Sequence, residues 1–261
     1  MQHLQLIGMV HLGPLPGSPR YTQPFEATLE RAIADATTLA KAGFDAVMVE
    51  NYGDSPFFAD DVPDVTVAAM ARAVATVGAA ISIPLGVNVL RNDALAALSI
   101  AAACDAEFVR VNVLSGAMYT DQGLIEGKAA ELARLRINLA PDIEVLADVF
   151  VKHATPPAGL SIAQAAADLF HRGMADALIV SGPATGRPPT DKTIDQVKAA
   201  VPQAPILIGS GASKGRLAKL ATRVDGFIVG TDVKRSGDVN EPVDPKRASA
   251  FVRAARNAVP K

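Results

Sequence analysis

The sequence predicts an α/β fold, an eight-stranded (β/α)8 TIM barrel, and three observations lead there. Apolar runs recur from one end of the chain to the other, helix-like stretches separate them, and nearly every run ends in a small knot of polar residues. Strands buried on both faces read as continuous apolar runs, and their alternation with helices implies a parallel sheet covered by helices. Eight such runs in 261 residues suit one barrel, typically ~250 residues long, so a single domain over 1–261 is expected. In such a barrel the chemistry belongs where the strands end.

In order, run 6–10 ends in His11, run 46–49 in Glu50 and Asn51, and run 85–90 in Arg91, Asn92 and Asp93. Run 108–113 carries Arg110 and Asn112, run 145–151 carries Asp148 and precedes Lys152 and His153, and run 177–180 precedes Ser181 and Gly182. Run 206–208 leads into Gly209-Ser210-Gly211, and run 227–229 into Gly230-Thr231.

Helices between the runs follow from periodicity and caps. Leu29, Ile33, Ala36 and Leu39 share one face up to Gly43, and Met70, Val74 and Val77 share the next. Asn92 or Asp93 caps the third helix, Ile125, Ala129, Leu132, Leu135 and Leu139 stripe the fourth, and Ser161 opens one that stops at Gly173. A weaker helix covers about 191–200, Ser213 opens another carrying Leu217 and Leu220, and Asp244-Pro245 caps and starts the last. Asp45, Asp105, Asp176 and Asp225 each precede a strand, which assigns them to turns at the opposite, non-catalytic mouth. The connections 13–24, 52–64, 115–123, 154–159, 183–191 and 232–243 are long loops suited to covering a substrate, and 53–58, with Phe57 and Phe58, is the candidate lid.

With 25 basic and 27 acidic residues the formal charge is -2, which leaves no footprint for nucleic acid or an anionic membrane. No stretch reaches the ~20 apolar residues of a membrane span, and the start lacks the basic region of a signal peptide. Cys104 is alone, so no intrachain disulfide forms, and its Ala-rich surroundings read as a small buried hydrophobe. A cytoplasmic location is expected, with a homo-oligomer compatible.

Several segments together resemble the BtpA/SgcQ family of barrel enzymes. They include 8–17 (GMVHLGPLPG), 49–57 (VENYGDSPF), 86–93 (GVNVLRND) and 109–113 (VRVNV). Thr120-Asp121-Gln122-Gly123, Ala147-Asp148-Val149, Val151-Lys152-His153, Gly209-Ser210-Gly211 and 228–231 (IVGT) complete the set, in order, over almost the whole chain. The resemblance implies a ribulose-phosphate-binding type of barrel. It also implies two kinds of role, since one member is associated with photosystem I biogenesis and another with sugar utilisation.

The strand ends suggest the chemistry. A glycine-rich turn entering a helix exposes backbone N–H groups to an anion, so Gly209, Ser210, Gly211, Gly230 and Thr231 form the expected phosphate cradle. Arg110 and Asn112, two apart, point to one face of their strand, and Asp148, Phe150 and Lys152 share a face if their strand extends that far. A cation inside an apolar barrel demands a polar partner, and a structural ion pair of Arg110 with Glu50 or Asp148 is the alternative to a catalytic role. Glu50 and Asp148 are candidate proton carriers, Lys152 a candidate for stabilising an enediolate or forming a Schiff base, and His153 an acid-base candidate. His11, Asn51, Asn88, Arg91 and Asp121 are candidate substrate contacts. No cofactor is expected and no metal site is assigned, because His11, His153, Glu50 and Asp148 lack a tight ligand spacing; a divalent metal would need those four to converge. The expected partner is a small phosphorylated metabolite, derived from a sugar or nucleoside. The expected activity is proton transfer next to a carbonyl, as in an isomerase, epimerase or aldolase. Metal-assisted hydrolysis and a non-catalytic assembly role are the alternatives.

Overall fold

A computed structural model describes residues 4–182, 188–209, 211 and 214–258. Eight parallel strands close into a barrel: β1 (Gln5–His11), β2 (Ala46–Glu50), β3 (Leu85–Asn88), β4 (Phe108–Val111), β7 (Glu144–Asp148), β9 (Ala177–Val180), β10 (Ile206–Ile208) and β11 (Gly226–Val229). The ring runs β1-β11-β10-β9-β7-β4-β3-β2, so the TIM barrel expected from the apolar runs is the fold observed. The three remaining strands, β5 (Ala117–Thr120), β6 (Gly123–Glu126) and β8 (Ala154–Thr155), form a separate antiparallel sheet in the order β6-β5-β8.

Around the barrel stand α1 (Phe25–Ala42), α2 (Asp64–Gly78), α3 (Ala94–Ala103), α4 (Ala129–Leu139), α5 (Ile162–Ala167), α6 (Asp191–Ala200), α7 (Lys214–Leu220) and α8 (Pro245–Ala258). Caps explain several boundaries. Asp93 accepts the Ala96 N–H at the start of α3, Ser161 does the same for Gln164 in α5, and Asp244 accepts from Lys246 and Arg247 in α8. Gly43 ends α1 in the left-handed region at φ 94°, where a Cβ would be strained. Ser213 lies outside the described residues. Ile125, expected on the fourth helix, is instead on β6, and the helix begins only at Ala129.

The core has two layers, as a barrel requires. Ile7, Met9, Met48, Phe108, Leu146, Ile179, Leu207 and Ile228 fill the interior, while the outward residues of the same strands pack beneath the helices. Gly86 makes room for one interior plug, because a Cβ there would stand 2.1 Å from the Phe108 ring. At the N-terminal mouth, Asp45, Asp176 and Asp225 accept the N–H groups of Leu6, Val145 and Ile206, each tying one strand start to its neighbour. Cys104 is half-buried and donates its thiol to Ala71 O at 3.3 Å. Among the described residues no helix is long and apolar enough to cross a membrane.

Two connections expected to be plain loops are not. Segment 115–123 folds back as the β5–β6 hairpin, and residues 154–155 after β7 add β8 to its edge, pairing Tyr119 with Thr155 and Thr120 with Ala154. The cover over the C-terminal mouth therefore includes a small sheet laced from two βα connections.

Candidate active site

Strand register brings the polar residues together. His11 pairs with Glu50 and Glu50 with Asn88, so these three stand at one height across β1, β2 and β3. Between β4 and β7, Arg110 pairs with Leu146 and Val111 with Ala147, which aligns Asn112 just past β4 with Asp148 on the same inward face. A cavity of 570 Å³ opens above them at the C-terminal mouth. Its walls include His11, Glu50, Arg91, Arg110 and Asn112 from the strand ends, Lys152 and His153 from the bend after β7, and Asp121 and Gln122 from the hairpin tip. Gly53, Ser55 and Phe57 of the expected lid segment also line it, whereas Phe58 is exposed.

Arg110 and Asp148 form a buried two-pronged ion pair, Nε to Oδ2 at 2.8 Å and Nη2 to Oδ1 at 3.0 Å. Asn112 donates to Asp148 Oδ2 at 3.0 Å, and Ser181 Oγ donates to Oδ1 at 3.1 Å. Four donors occupy the acceptor sites of this carboxylate, so it has no lone pair turned to a substrate. Burial alone would lower the guanidinium pKa of Arg110, but the charge and hydrogen bonds of Asp148 outweigh it and hold it above its usual value. The expected role of Asp148 as a proton carrier is thus not what its geometry favours: it fixes Arg110 and Asn112.

Glu50 and Lys152 are placed differently. The Glu50 side chain is only 6% exposed, and among the described residues its one partner within ion-pair range is His11, with Nε2 to Oε1 at 3.8 Å. The Lys152 amine makes no hydrogen bond or close ion pair among the described residues. Burial lowers its pKa, which the charge of Glu50 partly opposes and that of Arg110 reinforces. The strand ends at Asp148, so Lys152 is delivered by the following bend and not by β7 as the alternation 148, 150, 152 implied. Its carbonyl is held by Arg91, whose Nη2 donates to Lys152 O at 2.6 Å.

His11 is packed edge-on against Tyr52, with ring centroids 5.1 Å apart, and its Nδ1 has no partner. Burial, then the charges of Lys234, Lys152, Arg110 and Arg31, drive its pKa well below the usual imidazole value, so it is neutral at pH 7. His153 is exposed at the rim, and burial of part of its ring together with Lys152 and Arg91 lowers its pKa as well.

Other expected contacts turn inward to the protein. Asn51 accepts the Leu90 N–H at 2.7 Å and donates to Leu90 O at 3.2 Å and to Asp54, so it positions the Arg91 backbone and does not line the cavity. Asn88 donates to Arg110 O at 3.0 Å and also stays below the cavity floor, with Oδ1 unpartnered. For the expected phosphate cradle, Ser210 lies outside the described residues; Gly211 has φ 67° and Thr231 begins a short 3-10 turn after Gly230. A Cβ on Gly209 would meet Ile179 and Ser181, and one on Gly230 would meet the His11 ring at 2.8 Å. These two glycines therefore have packing reasons of their own.

The four residues that a metal would need do not form a ligand group, since Asp148 is occupied by Arg110. Among the described residues, the acids close enough to hold an ion are Asp60, Asp61 and Asp93. Lys128 already bridges Asp60 and Asp61 at 2.6 and 2.9 Å, and Asp93 caps α3. Sequence reasoning missed Arg20, Arg31, Tyr52, Val239 and Asn240, which line the cavity from loops and from α1. Tyr52 lies within the 49–57 segment but has no assigned role there; no motif marks the other four, and only the length of the 13–24 and 232–243 connections pointed toward Arg20, Val239 and Asn240.

A closed parallel barrel with an ion-paired floor and a cation-rich cavity over its strand ends is a TIM barrel with its candidate site at the C-terminal mouth. The chain belongs to the BtpA family, whose model matches residues 2–257. It is 51% identical over 253 residues to a protein of Thermococcus kodakarensis, covering 96% of this chain and 95% of that one. It is 46% identical over 252 residues to the photosystem I biogenesis protein BtpA of Synechocystis, covering 97% and 88%. Among solved structures, it resembles one described as native KDPGal (TM-score 0.60, 17% identity, 99% and 97% covered). It also resembles N-(5'-phosphoribosyl)anthranilate isomerase of Pyrococcus furiosus (0.59, 13%, 98% and 100%). At these identities the structural likeness concerns the fold.

Proposed function

We propose that this protein is an enzyme that moves a proton next to the carbonyl of a small phosphorylated substrate, derived from a sugar or a nucleoside. One observation carries the reading: Glu50 and Lys152 share a buried cavity, and neither side chain is committed to a hydrogen bond among the described residues. Glu50 is the proton carrier. Lys152 faces the oxygen on which negative charge develops, where a desolvated ammonium acts most strongly. Arg91 and Asn112 orient the carbonyl end, and Asp148 acts through Arg110 and Asn112 as a positioning residue. The glycine turns after β10 and β11, including Gly211 and Thr231, take the phosphate.

The structural relatives lend this reading a general precedent, because one is an isomerase of a phosphoribosyl compound and another an orotidine 5'-phosphate decarboxylase. The test has two stages. Thermal shifts with phosphorylated ketoses and aldoses, each beside its unphosphorylated parent, identify ligands, since binding to the folded state raises stability by mass action. Those ligands are then incubated with enzyme in D2O and followed by proton NMR. Loss of the proton beside the carbonyl is expected with the native protein and not with Glu50→Gln. Stabilisation by no phosphorylated compound, or exchange that persists in Glu50→Gln, would overturn the proposal.

A further inference from the structure

The cavity is charged at two ends. Lys152 and Arg91 stand over β7 and β3. Arg31, on α1, and Arg20, on the connection before it, stand beside β1 and the loop after β11. In the closed order β1-β11-β10-β9-β7-β4-β3-β2, β7 is four places from β1 in either direction, so the Lys152 and Arg31 ends face each other across the mouth. Glu50 and His11 lie between.

The Arg31 end has the marks of an anion subsite. Arg31 Nη2 donates to Asn240 O, which fixes the guanidinium, but its Nε is buried without a partner. A buried donor left unmade costs free energy that an acceptor would recover. Arg20 makes no hydrogen bond or ion pair among the described residues, and no acid of the cavity wall pairs with either arginine. Arginine presents a planar fork of donors that suits phosphate or carboxylate.

We propose that Arg31 and Arg20 form an anion subsite opposite Lys152 and Arg91, so that the substrate carries two separated anionic groups, such as a bisphosphate or a phosphorylated carboxylate. The inference rests on the proposed substrate cavity and specifies which molecules fit it: the phosphate taken by the glycine turns is one anionic group and the Arg31 end takes the other, so a singly charged ligand leaves one of these two subsites unpaired. Lys152 and Arg91 keep the carbonyl oxygen, with the neutral His11 and the carboxylate of Glu50 beside the reacting carbon.

The test uses the α,ω-bisphosphates of three- to six-carbon diols, each against its own monophosphate, with binding to the full-length protein measured by calorimetry. At one chain length the bisphosphate is expected to bind about tenfold or more tighter, the effect of one added charge-assisted contact. Arg31→Gln and Arg20→Gln should each shrink that advantage while leaving the monophosphate bound, and Arg253→Gln, an exposed control on α8, should leave it intact. Arg20→Gln guards against a folding artefact, because its side chain holds nothing in place. Bisphosphates no tighter than monophosphates at every length, or an advantage untouched by both arginine variants, would overturn the two-ended site while leaving the single-phosphate reading in place. Binding of neither series would remove both.

Discussion

Replacing Asp148 by Asn probes the floor of the cavity without changing its volume. The amide has one acceptor oxygen where the carboxylate has two, so its NH2 group must face Arg110 Nη2 and Ser181 in one orientation or Arg110 Nε and Asn112 in the other, donor against donor. Arg110, 3% exposed on its side chain, would then be a buried cation without its paired carboxylate. Breaking a buried pair from one side costs about 3–5 kcal/mol. For 261 residues the unfolding entropy near the melting temperature is about 0.55 kcal/mol/K, so the midpoint should fall by about 5–9 °C. Circular dichroism melts, with urea titration at 25 °C as a second measure, read this without knowledge of the substrate. The double variant Arg110→Met with Asp148→Leu should recover most of the loss, since an apolar replacement of both partners is often neutral. An Asp148→Asn protein that melts within about 1 °C of the native one would refute the structural account of the pair and return Asp148 to the candidates for contacting substrate.

Three further outcomes follow from single positions. The depressed pKa of His11 means that the unfolded chain takes up a proton before the folded one does, so stability falls as pH drops through the unfolded value near ~6.5 and keeps falling until the lower folded pKa is reached. His11→Asn should flatten the dependence of melting temperature on pH between about 7 and 5, and an unchanged slope would contradict the burial argument. Gly86→Ala drives a methyl group into the Phe108 ring and should cost about 1–3 kcal/mol in urea unfolding; the pairing with Phe108→Leu should relieve part of it. Gly211→Val, at φ 67°, should weaken phosphorylated ligands far more than their unphosphorylated parents in calorimetry, and equal weakening of both would return this glycine to the role of a turn.

Much of the fold was legible because doubly buried strands leave an uninterrupted apolar signal, and because Gly43, Ser161 and Asp244 mark helix ends with side-chain or backbone chemistry. Strand ends were harder. The apolar runs through Leu90 and Val113 overshoot β3 and β4, because the backbone there leaves the ladder for side-chain partners: Asn51 takes the Leu90 N–H and Asn92 takes that of Val113. The small sheet escaped notice since its strands are four, four and two residues long, too short for alternation to stand out. The residue types of the site were visible, but their division of labour was not. Whether Arg110 chooses Glu50 or Asp148 depends on register between neighbouring strands, and register is a property of the closed barrel rather than of any one segment. Arg31 was invisible for the same reason: only the approach of α1 to the loop bearing Asn240 turns an ordinary helix arginine toward the cavity.

The lacing of β8 onto the β5–β6 hairpin makes a short mechanical linkage. Ala154 and Thr155 follow directly on Lys152 and His153, so the rung that fastens the hairpin to the rest of the mouth is two residues away from the amine. Arg91 grips the same piece of chain through the Lys152 carbonyl, and the Arg91 N–H in turn holds Phe58 O in the neighbouring connection. Three connections are therefore fastened within a few residues of one ammonium group, so the position of the amine is set by all of them together and not by the strand that precedes it.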